Sequence, residues 1–134
     1  MSDKPDGNRI RQRTAAAVFQ LESAAGVRQR FSAGLGERFF SLFVQDLAGA
    51  LPAPRKLFRW SETAVLAELE TEGSPAALRS RIPAWLASIP AQRRLDVGQR
   101  LAVLSNAHRW TLIPLSDVDT AGEAIRRIEA FLRP

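Results

Sequence analysis

The amino-acid sequence predicts an α/β domain of the α+β kind, a small and mostly antiparallel sheet of two hairpins packed by helices. Three observations carry that prediction. Apolar residues recur at three- and four-residue steps through several long segments, the period of a helix. Between Lys56 and Leu69 the period drops to two, the period of a strand. Pro52, Pro54 and Pro90 fall between these segments and part them. The chain has 134 residues, 46% hydrophobic and 25% charged, enough for one core and one domain.

Residues 1–9 are polar and read as a disordered tail. Ile10, Thr14, Ala17, Leu21, Ala24 and Phe31 then follow at helical spacing, with Val18 widening the stripe, and predict an N-terminal helix over 10–32. Its narrow, alanine-rich face suits one flat contact, so these seven residues form a candidate association surface. The main domain is expected over 33–134. It begins with a helix from Leu35 to Leu51, whose apolar face is Phe39, Leu42, Phe43 and Leu47. Lys56–Trp60 and Ala64–Leu69 make a hairpin around the polar Ser61-Glu62-Thr63.

Ser74 is an N-cap and Pro75 the first residue of a third helix through Leu78, Ile82 and Leu86, with a kink expected at Pro83. Arg94–Val97 turns at Gly98-Gln99, and Leu101–Ser105 and Trp110–Leu115 read as extended. Thr120 and Glu123 form a capping box for a terminal helix bearing Ala124, Ile125, Ile128, Phe131 and Leu132. Phe39, Phe43, Leu47, Leu57, Trp60, Ile125 and Ile128 are the expected core.

Several chemistries are excluded by composition. With no cysteine, the chain has no disulfide, no thiol nucleophile and no thiolate zinc site. His108 is the single histidine, and no serine stands in recognisable triad spacing with it. A polar start without an apolar leader, and no apolar run of spanning length, predict a cytoplasmic protein with no membrane partner. The formal net charge is +5, and Lys4 and Lys56 are the only lysines. The arginines are scattered among carboxylates, so a nucleic-acid partner rests on charge alone. Trp60, Trp85 and Trp110 are expected to pack rather than to stack on bases. The carboxylates Glu62, Glu68, Glu70 and Glu72 read as a solvated edge rather than as paired catalytic acids.

The hairpin residues Arg59, Trp60, Ser61, Glu62, Thr63, Ala64, Val65 and Leu66 resemble the signature hairpin of GGDEF domains, the diguanylate cyclase fold. In that family an arginine and an aromatic or aliphatic residue precede Gly-Gly-(Asp/Glu)-Glu-Phe. Asp119–Leu132 is similar to the family's last helix, and Gly36–Leu51 sits where the family places the helix before its hairpin. The resemblance covers roughly residues 35–134.

The departures from the family pattern set the functional expectation. Ser61 and Glu62 replace the two glycines that let backbone approach a nucleotide. Thr63 and Ala64 replace the acidic pair that helps hold magnesium. No Arg-x-x-Asp motif precedes the hairpin. The family's first strand, with its metal-binding aspartate, is expected to be missing, so that the two hairpins pair directly or another chain fills the gap. The resemblance thus implies a degenerate, truncated GGDEF-like domain, not an enzyme, with no cofactor and no bound metal. It would act in bacterial signalling as an interaction or assembly module, with itself as a homodimer or with a larger protein. A cyclic diguanylate receptor without cyclase activity is the alternative, and a nucleic-acid-binding protein the further one.

Overall fold

In the computed structural model, residues 14–52, 56–70, 74–115 and 120–133 are described. They form β1 (Thr14–Leu21), α1 (Ala24–Arg30), α2 (Ala33–Ala50), β2 (Lys56–Arg59), β3 (Ala64–Glu70), α3 (Pro75–Leu86), β4 (Gln92–Val97), β5 (Arg100–Ser105), β6 (His108–Pro114) and α4 (Ala121–Leu132). A four-stranded sheet runs β2-β3-β1-β6, and β4-β5 is a separate two-stranded sheet. Every pairing is antiparallel, and the α+β class is as predicted.

The segment expected to open the chain as a helix is the centre of the sheet. β1 pairs with β3 from Thr14↔Glu70 to Gln20↔Ala64, and with β6 from Ala15↔Pro114 to Leu21↔His108. The expectation that the two hairpins pair directly, or that another chain stands between them, is not met: among the described residues β1 itself lies between β3 and β6. The two hairpins do not pair with each other. A strand buried on both faces carries apolar residues on both, so the two-residue alternation disappears. Thr-Ala-Ala-Ala-Val-Phe-Gln-Leu has no alternation, and alanine has high helix propensity. Tertiary burial decided against that propensity.

Ala15, Ala17, Phe19 and Leu21 point to the larger core. Ala16 and Val18 point to the smaller one, with Ile113 and Ile128. The small residues let α2 and α3 on one side and α4 on the other approach the sheet closely.

Helix ends follow local chemistry. Ser32 Oγ accepts from the Leu35 N–H and separates α1 from α2. Ser74 Oγ accepts from the Ala77 N–H, with Pro75 next. Thr120 Oγ1 accepts from the Glu123 N–H, each satisfying a donor that has no intrahelical partner. Pro83 lies inside α3, which continues as one helix to Leu86.

Phe39, Phe43 and Leu47 of α2 are fully buried against β1 and β3, and Leu57 packs partly on them. Ile128 is buried and Trp60 is partly buried beside it. Ile125, expected in the core, is 43% exposed. It lies on the flank of α4, three residues before Ile128, where the sheet does not reach. At the tip of the β4–β5 hairpin Gly98 has φ +66, a left-handed conformation that only glycine adopts without strain.

Candidate functional site

The hairpin between β2 and β3 reaches its tip at Ser61-Glu62-Thr63. The N–H groups of Trp60 and Ser61 both donate to the Ala64 carbonyl, at 3.0 and 3.2 Å. The Thr63 N–H donates to Ser61 Oγ at 3.3 Å. Leu21 at the end of β1 donates its N–H to the Thr63 carbonyl at 2.9 Å, so the end of the central strand and the turn meet.

Gln20 is the side chain that β1 presents there, and its Nε2 lies 3.5 Å from Thr63 Oγ1. Arg109 Nε donates to Gln20 Oε1 at 2.7 Å. The same guanidinium donates to the Phe131 carbonyl at 2.7 Å and stacks on the Phe131 ring at 4.5 Å. A cation thus sits on the carbonyl end of α4, where the helix dipole favours it. Strand and turn bring together an amide, a hydroxyl and a guanidinium, none of them a metal-binding group of the hard, acidic kind. β1 holds no aspartate, and Glu22, one residue beyond it, is exposed. Among the described residues no group of three or more His, Asp or Glu is placed to hold a metal ion.

A second set of charges borders the turn from the other side. Arg59 donates to both carboxylate oxygens of Glu37 at 2.6 Å, from Nη1 and Nη2. Its Nε donates to the Ser61 carbonyl at 2.9 Å, and its guanidinium lies 4.6 Å from the centre of the Phe40 ring. Arg28 of α1 reaches Glu62 at 3.3 Å and Glu37 at 3.9 Å. The hydrogen bond from Arg59 is the main cause that holds the Glu37 carboxyl below the ordinary carboxylate range; burial opposes it. Arg59 is raised above its ordinary value, first by the same bond. Beside Arg59, a groove of about 220 Å³ is lined by Phe40, Ser41, Val44, Leu57 and Val65.

The predicted turn residues Arg59, Trp60, Ser61, Glu62, Thr63 and Ala64 do form one unit. The predicted association stripe does not. Ala17, Val18, Leu21 and Ala24 are fully buried and Thr14 nearly so, because they belong to a central strand and the helix packed behind it. Phe31, 38% exposed, ends α1, and Ile10 lies outside the described residues. Sequence reasoning missed Gln20, Arg28 and Glu37. One signal was available: Gln20 is the lone amide inside an apolar run.

The remaining candidates fall into structural roles. His108 packs on Phe43 and its Nδ1 lies 2.9 Å from the Asn106 carbonyl. Trp60, Trp85 and Trp110 pack against the two cores. Glu68 stands opposite Lys56 in the sheet, Glu70 is exposed at the end of β3, and Glu72 lies outside the described residues. Arg93 pairs with Asp46, and Arg126 and Arg127 with Glu123.

No protein-family model matches the chain, and no curated protein matches it by sequence. Solved structures do match. The GGDEF domain of YfiN (TpbB) from Pseudomonas aeruginosa superposes with a TM-score of 0.73 at 18% identity, over 94% of this chain and 77% of that one. The GGDEF domain of FimX from the same organism gives 0.66 at 11%, over 96% and 78%. The GGEEF domain of a Vibrio cholerae diguanylate cyclase, described as active, gives 0.62 at 11%, over 96% and 80%. The chain has the GGDEF-domain fold. No helix among the described residues is long and apolar enough to cross a membrane.

Proposed function

We propose that this GGDEF-fold domain is a non-catalytic module of a bacterial signalling system that works by contact with protein, either a second copy of itself or a larger protein. One observation carries the reading. The turn and the first strand bring Thr63 and Gln20 together where a cyclase would need acids to hold the ions that bridge a triphosphate. The side chains of Ser61 and Glu62 stand where the family has glycines, and obstruct close approach of a nucleotide to the backbone.

Contact through protein is favoured by exposed apolar side chains that the fold leaves uncovered. Leu101 and Val103, on the outer face of β5, are 55% and 52% exposed, and Phe58 on the edge strand β2 is 47% exposed. These take over the part first given to the buried stripe. A cytoplasmic setting belongs to the same reading.

The test is direct. The chain is incubated with guanosine triphosphate and magnesium, and its size is measured by light scattering with and without lysate of a bacterial host. The reading expects no dinucleotide product and a species larger than one chain. Formation of cyclic diguanylate would end it, as would a strict monomer that retains no protein.

The groove beside Arg59 favours a second reading, a receptor for cyclic diguanylate. An arginine beside apolar walls suits a guanine edge and a phosphate. Against this, Arg59 already spends both of its terminal nitrogens on Glu37. Calorimetry with the dinucleotide decides between them; absence of heat and of any thermal shift removes the receptor.

A further inference from the structure

We propose that Arg28, Glu37, Arg59 and Glu62 form an electrostatic latch that holds the hairpin turn shut against the first turns of α2, with Gly36 as the seat for Arg28. The latch joins three segments that are distant in sequence. Arg28 comes from α1, Glu37 from α2, Arg59 from the end of β2 and Glu62 from the tip of the turn. The charges alternate around the ring: Glu62 to Arg28 at 3.3 Å, Arg28 to Glu37 at 3.9 Å, Glu37 to Arg59 at 2.6 Å. Arg59 closes it by donating to the Ser61 carbonyl inside the turn.

Gly36 makes the geometry available. A Cβ there would lie 2.2 Å from Arg28 Cγ, an overlap near the root of the side chain that no tip movement relieves. Arg28 therefore lies flat across the start of α2, and any other residue at 36 forces it to another rotamer. Single exposed ion pairs contribute little because water competes for both partners. Here one pair is bidentate, one arginine is also stacked on Phe40, and two arginines share one carboxylate, a network rather than isolated pairs.

The latch is a property of the turn and holds whether or not the domain is catalytic. Its effect is to keep the turn closed with no ligand present, by guanidinium groups where a metal-dependent site would use cations. Opening the turn requires both carboxylates to give up their arginines.

Hydrogen exchange of the full chain, read at the amides of Trp60, Ser61 and Thr63, tests this. Glu62→Gln and Arg28→Gln each remove one charge and keep a polar side chain; Glu62 is 67% exposed and Arg28 26%, so an unchanged thermal midpoint is required of each variant before its exchange is read. Each is expected to speed exchange at these amides about threefold to tenfold, the range of one to a few surface pairs. Gly36→Ala should do the same, as should raising salt to about 1 M in the unaltered chain. The amides of Ala15 to Phe19 should not change. Turn amides unaffected in either charge variant, or β1 amides that accelerate in step with them, would overturn the latch.

Discussion

Glu37 shows how much one residue's neighbours matter. Its side chain is 45% exposed, and its carboxyl is still held below the ordinary carboxylate value of 4.5, first by the hydrogen bond from Arg59. Its folded value is depressed relative to the unfolded one. The stabilisation it brings is therefore complete above about pH 4.5, including neutral pH, and is lost as pH falls through the lowered folded value. Carbon-detected titration should place Glu37 below the ordinary carboxylate range, and Arg59→Gln should return it to that range. Glu123, hydrogen-bonded by Arg126 and Arg127, is shifted in the same direction for the same reason. Deep in the core the scale of energy is different. Phe43 is fully buried between α2 and the sheet, and Phe43→Ala should cost about 3–5 kcal/mol in denaturant unfolding. A loss below about 1 kcal/mol would mean that the packing around it is not as described.

Among the elements, β1 is the one that a periodicity argument misreads. Its positions at 14, 17, 18 and 21 fit a helical stripe because a doubly buried strand is apolar at nearly every position, Thr14 and Gln20 excepted. Ala17→Leu separates the two descriptions. On a solvent-facing helix it would be neutral. In β1, where Ala17 is fully buried opposite Ala67 and Leu112, overpacking should cost about 1–3 kcal/mol, measurable as a lowered denaturation midpoint. The helices behave in the opposite way. Their starts were legible because a cap is local chemistry: Ser74 with Pro75, and Thr120 with Glu123, need only neighbours in sequence. Thr120→Ala should therefore lose about 1 kcal/mol, with the loss of helix signal confined to α4.

At the level of the molecule, the sheet is covered on one side by α2 and α3 and on the other by α4 alone. Phe58 on β2 and Ile125 on α4 remain exposed, and the outer face of the β4–β5 hairpin carries Leu101 and Val103. If contact with protein is the function, replacing Leu101 and Val103 together by arginine should abolish association and leave the thermal midpoint unchanged, because neither side chain is in a core. Association that persists in this variant would direct attention to Phe58 and Ile125 instead. Arg28, Arg59, Arg93, Arg126 and Arg127 are all paired with carboxylates.

What lay within reach of local rules was settled by sequence alone: the helix starts at Ser74 and Thr120, both hairpins, and the residue types of the turn from Arg59 to Ala64. Cap bonds, turn residues and amphipathic stripes depend on neighbours a few positions apart, so they can be read along the chain. The tertiary structure alone decided that Thr14–Leu21 is the central strand, that Gln20 faces Thr63 across 43 positions, and that Arg28 and Glu37 close on the turn. Those contacts join segments through burial and long-range charge, and neither has a period or a spacing in the sequence to announce it.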